Sequence, residues 1–118
     1  MKFNLLLFAL SILLKWSAKT NSKFKWYIRK SKVRILIKTA DDKFARLYIF
    51  NKGKISSRSG ITNKYDVALI WKNANIGFKC MQNKEKDASF NAAANGNLKI
   101  DGFSTYALWF ENGMKLIN

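Results

Sequence analysis

Residues 87–110 read Asp-Ala-Ser-Phe-Asn-Ala-Ala-Ala-Asn-Gly-Asn-Leu-Lys-Ile-Asp-Gly-Phe-Ser-Thr-Tyr-Ala-Leu-Trp-Phe. The first third predicts a short helix, because Phe90, Ala93 and Ala94 recur at the spacing of one helical face. Asp87 is a suitable N-cap for this helix, since its side chain can accept hydrogen bonds from free backbone N–H groups. Gly96 ends the helix, because glycine adopts the left-handed closing conformation without a Cβ clash.

The rest of the stretch predicts a strand, a turn and a second helix. Leu98 and Ile100 alternate with polar neighbours, which indicates a half-buried strand. Asp101-Gly102 favours a turn, and Ser104 is a suitable N-cap for the helix that follows. These elements offer large apolar side chains and almost no reactive groups, which favours holding an apolar molecule over chemistry.

Strands dominate the region before this stretch. Alternating apolar residues predict strands over 33–38, 44–50 and 54–58, the last of them polar and near an edge. Asn51-Lys-Gly53 predicts a hairpin between the second and third strands. Residues 65–71 are nearly all apolar, which predicts a central strand covered on both faces. A helix over 73–83, capped by Asn73, follows, so the order of elements indicates an α+β domain.

Three motifs in this order resemble the sterol-carrier-protein lipid-binding domain in its bacterial single-domain branch. They are a strand closed by Asn51-Lys-Gly-Lys54, the strand Asp66-Val-Ala-Leu-Ile70, and the segment Asn95-Gly-Asn-Leu-Lys-Ile-Asp-Gly102. The resemblance covers about residues 32–112. It implies a mixed, mostly antiparallel five-stranded sheet with helices over one face and an apolar tunnel between the two layers.

The resemblance also implies a function, which is to bind or transfer a lipid without catalysis. Members of the family carry sterols, fatty acyl groups or polyprenyl quinone precursors. Bacterial relatives include accessory factors of ubiquinone biosynthesis, so lipid-processing enzymes are candidate partners. We place these residues around an isoprenoid, sterol-like or acyl ligand: Val67, Leu69, Trp71, Phe78, Met81, Phe90, Leu98, Ile100, Leu108 and Phe110.

The composition argues against most enzyme classes. The 118-residue chain has no histidine and one cysteine, Cys80, which removes the usual zinc sites and the Ser-His and Cys-His nucleophile pairs. Seven carboxylates are present, and most of them fall at predicted caps and turns. No glycine-rich phosphate loop occurs. We therefore expect no catalytic residue, no metal and no cofactor.

The N-terminal segment is a separate feature, and we divide the chain into a helical region over residues 1–30 and a lipid-binding domain over 31–118. Residues 3–14 are almost wholly apolar but too few to cross a bilayer, which takes about 20 residues. Asn4, Ser11, Lys15 and Ser22 fall close to one line of a helical wheel, which gives a narrow polar stripe on a broad apolar body. Three interpretations stay open: a helix at the membrane interface that also packs on the core, a pure core helix, and a signal peptide with a poor cleavage site.

The positive charge is concentrated in the same region. The net charge is +15, and residues 1–40 hold ten Lys or Arg and no acid. Basic residues and tryptophans beside an apolar helix are typical of a lipid headgroup boundary. We therefore expect a cytoplasmic protein attached peripherally to an anionic membrane. The residues expected at that surface are Lys15, Trp16, Lys19, Lys23, Lys25, Trp26, Arg29 and Lys30.

Two other functions remain as alternatives. The pI near 10.2 and the run Lys23-Phe-Lys-Trp-Tyr27 would also suit nucleic acid, with lysines on phosphates and aromatic rings against bases. However, no helix-turn-helix or comparable motif is present, so nucleic acid is the weaker partner. The second alternative is a scaffolding protein whose tunnel is collapsed and empty.

Overall fold

The computed structural model describes residues 2–74, 76 and 96–117. In chain order the described elements are α1 (Lys2–Thr20), α2 (Ser22–Ile28), β1 (Lys32–Thr39), β2 (Ala45–Asn51), β3 (Lys54–Ser59), β4 (Val67–Trp71), β5 (Leu98–Gly102) and α3 (Ser104–Ile117). The helix predicted over 73–83 is described only at its start, where Asn73 Oδ1 accepts a hydrogen bond from Ile76 N at 2.9 Å. Cys80 and the helix predicted from Asp87 lie outside the described residues.

The five strands form one mixed sheet in the order β3-β2-β1-β4-β5. Only β1 and β4 pair in parallel, and the other three pairs are antiparallel. The predicted α+β class and sheet type are therefore confirmed. β4 is less completely covered than its apolar sequence predicts, because it lies next to the last strand: Val67 and Ala68 are buried, whereas Leu69 and Ile70 are half-buried.

Two glycines fix turns that position the strands. Lys52 and Gly53 have φ values of 49° and 89°, the pair of positive angles that a two-residue hairpin of type I′ needs. The predicted hairpin between β2 and β3 is thereby confirmed. Gly102 has a φ of 97°, and a Cβ there would collide with the backbone carbonyl of Asp66. The end of β5 can therefore approach the start of β4 only with glycine at this position.

The three helices α1, α2 and α3 lie on the same face of the sheet, as the resemblance implies, and we call it the helix side. One cluster joins the helices to this face: Leu7, Leu10, Leu14, Phe24, Ile28, Val33, Ile35, Ile37, Tyr48, Phe50, Val67, Trp71, Leu98, Ala107 and Phe110. The opposite face carries a smaller buried cluster of Leu36, Ala45, Leu47 and Ala68. The main core thus lies between the helices and the sheet.

The two N-terminal helices are fastened to the rest of the fold by hydrogen bonds. Asn21 caps α2 by accepting from Phe24 N at 3.1 Å, so a new helix begins there after α1. The same side chain donates from Nδ2 to Leu116 O of α3 at 3.0 Å. Tyr48 on β2 donates its hydroxyl proton to Leu7 O of α1 at 2.6 Å. α1 and α2 are therefore integrated with the sheet and with α3.

Candidate functional site

Five of the ten residues predicted to contact a lipid lie together on the helix side of β4 and β5. Val67, Leu69 and Trp71 alternate along β4, and the register pairs Leu69 with Ile100 and Trp71 with Leu98. Val67, Trp71 and Leu98 are buried, Leu69 is half-buried and Ile100 is 37% exposed. The result is an apolar face that is buried at Val67, Trp71 and Leu98 and accessible between them, at Leu69 and Ile100.

Helix α3 brings one of its two predicted residues to the core. Phe110 is buried and lies 6.5 and 6.1 Å from the rings of Tyr48 and Phe50. Leu108 lies two residues before Phe110, and residues two apart on a helix point in nearly opposite directions. Leu108 is accordingly 59% exposed. It therefore lies on the outer side of α3, and its place beside a ligand stays a prediction. The other three predicted residues are outside the described part of the chain: Phe78, Met81 and Phe90.

A polar group on this apolar face was not anticipated from the sequence. Trp71 is 3% exposed, and its indole Nε1–H makes no hydrogen bond with any described group. Its neighbour Thr39 is already engaged, since Thr39 Oγ1 donates to Asp41 Oδ1 at 2.6 Å and accepts from Phe44 N. One feature of the sequence could have indicated it: in the strand Val67–Trp71, only the Trp71 side chain has a hydrogen-bond donor.

Helix α1 has two apolar faces with opposite environments. Its inner face contributes Leu7, Leu10 and Leu14 to the core. This packing is compatible with a core helix and with a helix that also meets a membrane. The outer face of α1 is exposed and apolar, so the helix packs on the core by one face only. We call this outer face the outer stripe, and its residues are Leu5, Phe8, Ile12, Leu13 and Trp16.

The predicted polar stripe on α1 is only partly present. Asn4 and Lys15 are exposed, but Ser11 is buried and its Oγ donates to Phe8 O at 2.6 Å within the helix. A hydroxyl that is satisfied by its own helix can lie against the core at little cost. The outer surface of α1 is therefore more apolar than the sequence pattern predicts.

Basic residues and tryptophans continue from α1 onto α2. Trp16 and Lys23 line a cleft of about 420 Å³ between α1 and the start of α2, and Lys23 and Trp26 line another of about 540 Å³ between α2 and α3. The Arg29 guanidinium lies 4.2 Å from the centre of the Trp26 ring. All eight residues predicted at a membrane surface are exposed: Lys15, Trp16, Lys19, Lys23, Lys25, Trp26, Arg29 and Lys30.

The larger cleft has an aromatic wall. Tyr27 stacks on Trp109 of α3 with 5.4 Å between ring centres, and its hydroxyl donates to Trp109 O at 2.8 Å. Burial raises the pKa of the Tyr27 hydroxyl, so Tyr27 stays neutral at physiological pH. The cleft therefore offers apolar walls with Lys23 as the cation at its rim.

Two classes of site are not found among the residues that the structure describes. No described helix combines the length and the apolar character needed to cross a bilayer. Likewise, the described His, Cys, Asp and Glu side chains form no group of three or more that could hold a metal ion.

Comparison with known proteins identifies the fold through structure alone. No protein-family model matches the chain, and no curated protein sequence matches it. A solved structure named "UbiJ-SCP2 Ubiquinone synthesis protein" superposes with a TM-score of 0.76 at 13% identity, covering 97% of this chain and 96% of that one. The solution structure of palmitated SCP2L2 from Aedes aegypti has a TM-score of 0.52 at 14% identity and covers 84% of this chain and 85% of that one.

The same fold also occurs as a small part of an enzyme. The inverting sec-alkylsulfatase Pisa1 from Pseudomonas sp. matches with a TM-score of 0.56 at 16% identity, but the match covers 73% of this chain and only 13% of the enzyme. These likenesses show that the chain has the sterol-carrier-protein fold, as its sequence motifs predict.

Proposed function

We propose that this protein is a non-catalytic lipid-binding protein that holds an isoprenoid, sterol-like or acyl ligand against the helix side of β4 and β5. The observation that carries the proposal is the shared apolar face of Val67, Leu69, Trp71, Leu98 and Ile100 within a sterol-carrier-protein fold. Leu69 and Ile100 remain accessible on it, so a ligand has apolar surface to cover.

Water exclusion is sufficient to supply the affinity. Each buried methylene gains about 0.8 kcal/mol, so about ten methylenes gain roughly 8 kcal/mol before the costs of association are subtracted. The five side chains that form the face include no titratable group and no nucleophile. The arrangement therefore suits holding and releasing a lipid, with the lipid chemically unchanged.

A more specific role is that of an accessory factor in quinone lipid biosynthesis. The similarity to the structure named as a ubiquinone synthesis protein extends over nearly the whole of both chains, which supports this choice among lipid carriers. In this role the protein would shield a polyprenyl tail while lipid-processing enzymes act on the ring.

The test of lipid binding compares two neighbouring residues of β4. Leu69 and Ile70 are both half-buried but point to opposite faces, where Leu69 pairs with Ile100 and Ile70 pairs with Lys99. We expect Leu69→Ser to weaken the binding of a fluorescent fatty-acyl probe about tenfold, because an apolar contact of about 1.4 kcal/mol is lost. We expect Ile70→Ser to cost similar stability and leave binding unchanged.

Native mass spectrometry of gently purified protein completes this test. A co-purified mass of lipid size is the expected result, and lipidomics then identifies the cargo. A bare chain that also refuses fatty-acyl and quinone probes would instead establish the scaffolding alternative. Equal losses of binding in the two β4 variants would show that the ligand lies elsewhere.

We also propose that the protein works on the cytoplasmic face of an anionic membrane, attached peripherally through the outer stripe and the basic residues that adjoin it. The combination of charge and apolar exposure favours this partner: Leu5 and Trp16 are 68% and 64% exposed, and no acidic residue occurs before Asp41. Each basic residue near an anionic leaflet contributes about 1 kcal/mol.

Vesicle flotation tests the membrane proposal. The protein should float with phosphatidylserine-containing vesicles, float much less with phosphatidylcholine vesicles, and detach as salt is raised, because exposed charges are screened. Equal flotation with both kinds of vesicle would contradict the proposed contribution of the basic residues. An oligonucleotide that binds the protein more tightly than anionic vesicles do would favour the nucleic-acid alternative.

A further inference from the structure

We propose that the indole N–H of Trp71 donates a hydrogen bond to a neutral carbonyl oxygen of the bound lipid and so fixes the ligand's orientation on β4. The inference rests on the proposed lipid-binding function and deepens it, because it names the chemical class of the ligand and the residue that recognises it. The starting point is a donor that is buried and has no described acceptor.

A buried donor of this kind needs an explanation. More than nine in ten buried polar groups in proteins have a hydrogen-bond partner, and an unmade bond is costly. The residues paired with Trp71 across the sheet are Thr39 and Leu98. Leu98 has no side-chain acceptor, and the Thr39 hydroxyl makes its hydrogen bonds with Asp41 and the Phe44 amide and none with Trp71.

The position of Trp71 matches that of a recognition group at one end of an apolar site. Trp71 is the last residue of β4, and Leu69 lies two residues earlier on the same face, about 7 Å away at the strand rise of about 3.3 Å per residue. A lipid whose carbonyl meets Trp71 Nε1 can therefore lay its apolar body along β4 toward Leu69 and Ile100. The carbonyl group would lie at Trp71, and the apolar body would cover the accessible middle of the face at Leu69 and Ile100.

The chemistry of a single N–H in apolar surroundings selects a neutral acceptor. A carboxylate or phosphate would be desolvated with only one donor to compensate it, which is unfavourable. A hydrocarbon would leave the donor unpaired. An ester, ketone or quinone carbonyl satisfies the donor without bringing a charge, so this class of lipid should bind about tenfold more tightly than a hydrocarbon of the same length.

The test uses Trp71→Phe, which keeps an aromatic ring and removes the N–H. The probes are methyl palmitate and octadecane, which have the same chain length and differ in the ester, each competing with a fluorescent fatty-acyl probe. We expect the wild-type protein to prefer methyl palmitate about tenfold and the variant to lose most of that preference. The ligand-free variant should be less stable than the wild type, because phenylalanine leaves space at this buried position, so binding is compared under conditions in which both proteins are folded.

A measurement on the wild-type protein tests the same hydrogen bond without depending on how well the Trp71→Phe variant folds. The four tryptophans give four indole signals in a ¹H–¹⁵N spectrum, and Trp16→Phe, Trp26→Phe and Trp71→Phe assign them. Methyl palmitate should move the Trp71 indole proton downfield, and octadecane should not.

The outcomes separate this inference from the function on which it rests. If the wild-type protein binds both probes equally and the Trp71 signal is indifferent to the ester, the inference is overturned while lipid binding stands. If neither probe binds, the proposed function fails as well.

Discussion

Helices α1 and α3 cover the same face of the sheet, but their outer surfaces are opposite in character. Outward positions of α3 are polar at Ser104, Thr105 and Asn112, and Leu108 is an isolated apolar residue among them. The outer stripe of α1 is apolar along most of the helix. α3 is thus an ordinary amphipathic helix with water on its outer side, whereas α1 has apolar residues on both sides and suits a second apolar environment.

The largest expected effects test whether the inner faces of the two helices are equivalent. Leu14→Ala in α1 should lower the free energy of unfolding by about 2–5 kcal/mol, and Phe110→Ala in α3 by about 3–5 kcal/mol, because both side chains are buried in one cluster. Leu108→Ala, at an exposed position, should change it by less than about 0.5 kcal/mol. Urea unfolding measures all three. A Leu14→Ala protein as stable as Leu108→Ala would show that α1 is not part of the core.

The next effect concerns the outer stripe. Replacing Leu5, Ile12 and Trp16 together by Ala should weaken binding to anionic vesicles about a hundredfold, since each removes about 1 kcal/mol of apolar burial. Phe8 is kept because the Arg46 guanidinium lies 5.2 Å from the centre of its ring. Vesicle co-sedimentation gives the affinity, and Leu108→Ala is the matched control that should bind normally. Normal vesicle binding by the triple variant would show that the outer stripe of α1 contributes no more to membrane binding than the outer side of α3 does.

A smaller effect should follow from removing charge beside the stripe. Lys19→Gln with Lys23→Gln should weaken anionic-vesicle binding roughly thirtyfold at low salt, from about 1 kcal/mol per charge. Lys54→Gln with Lys99→Gln removes the same charge from β3 and β5, and we expect that pair to have a much smaller effect. Titration with vesicles at two salt concentrations separates the pairs. Equal losses would mean that net charge alone, rather than its position, governs binding.

The smallest effect concerns the hydrogen bond between the sheet and α1. Tyr48→Phe should cost about 1 kcal/mol and reduce hydrogen-exchange protection in α1 more than in α3, because the Tyr48–Leu7 bond fastens only α1. Burial raises the pKa of the Tyr48 hydroxyl. Its contribution should therefore be complete below pH about 10 and decline at higher pH, a dependence that Tyr48→Phe lacks. Equal loss of protection in both helices would contradict this assignment.

Most of the fold could be predicted because its signals are local. Apolar alternation identified the strands, and Asn51-Lys-Gly53 located the hairpin. The five-residue face on β4 and β5 also follows from alternation once the two strands are paired.

The remaining features depend on tertiary placement and could not be predicted from the sequence. Leu108 and Phe110 are both apolar, and only the docking of α3 decides which of them is buried. α1 is apolar on both sides, so its sequence does not distinguish the inner face from the outer stripe. That the Trp71 N–H has no acceptor among the described residues is apparent only once β4 is packed between its neighbours.

The outer stripe has a practical consequence for handling the protein. In detergent-free buffer, two copies can shield their stripes only by placing them against each other. We therefore expect a concentration-dependent dimer in light scattering that dissociates when mild detergent micelles are added. A dimer measured without detergent or lipid would then result from contact between exposed outer stripes in water and would not be a biological assembly.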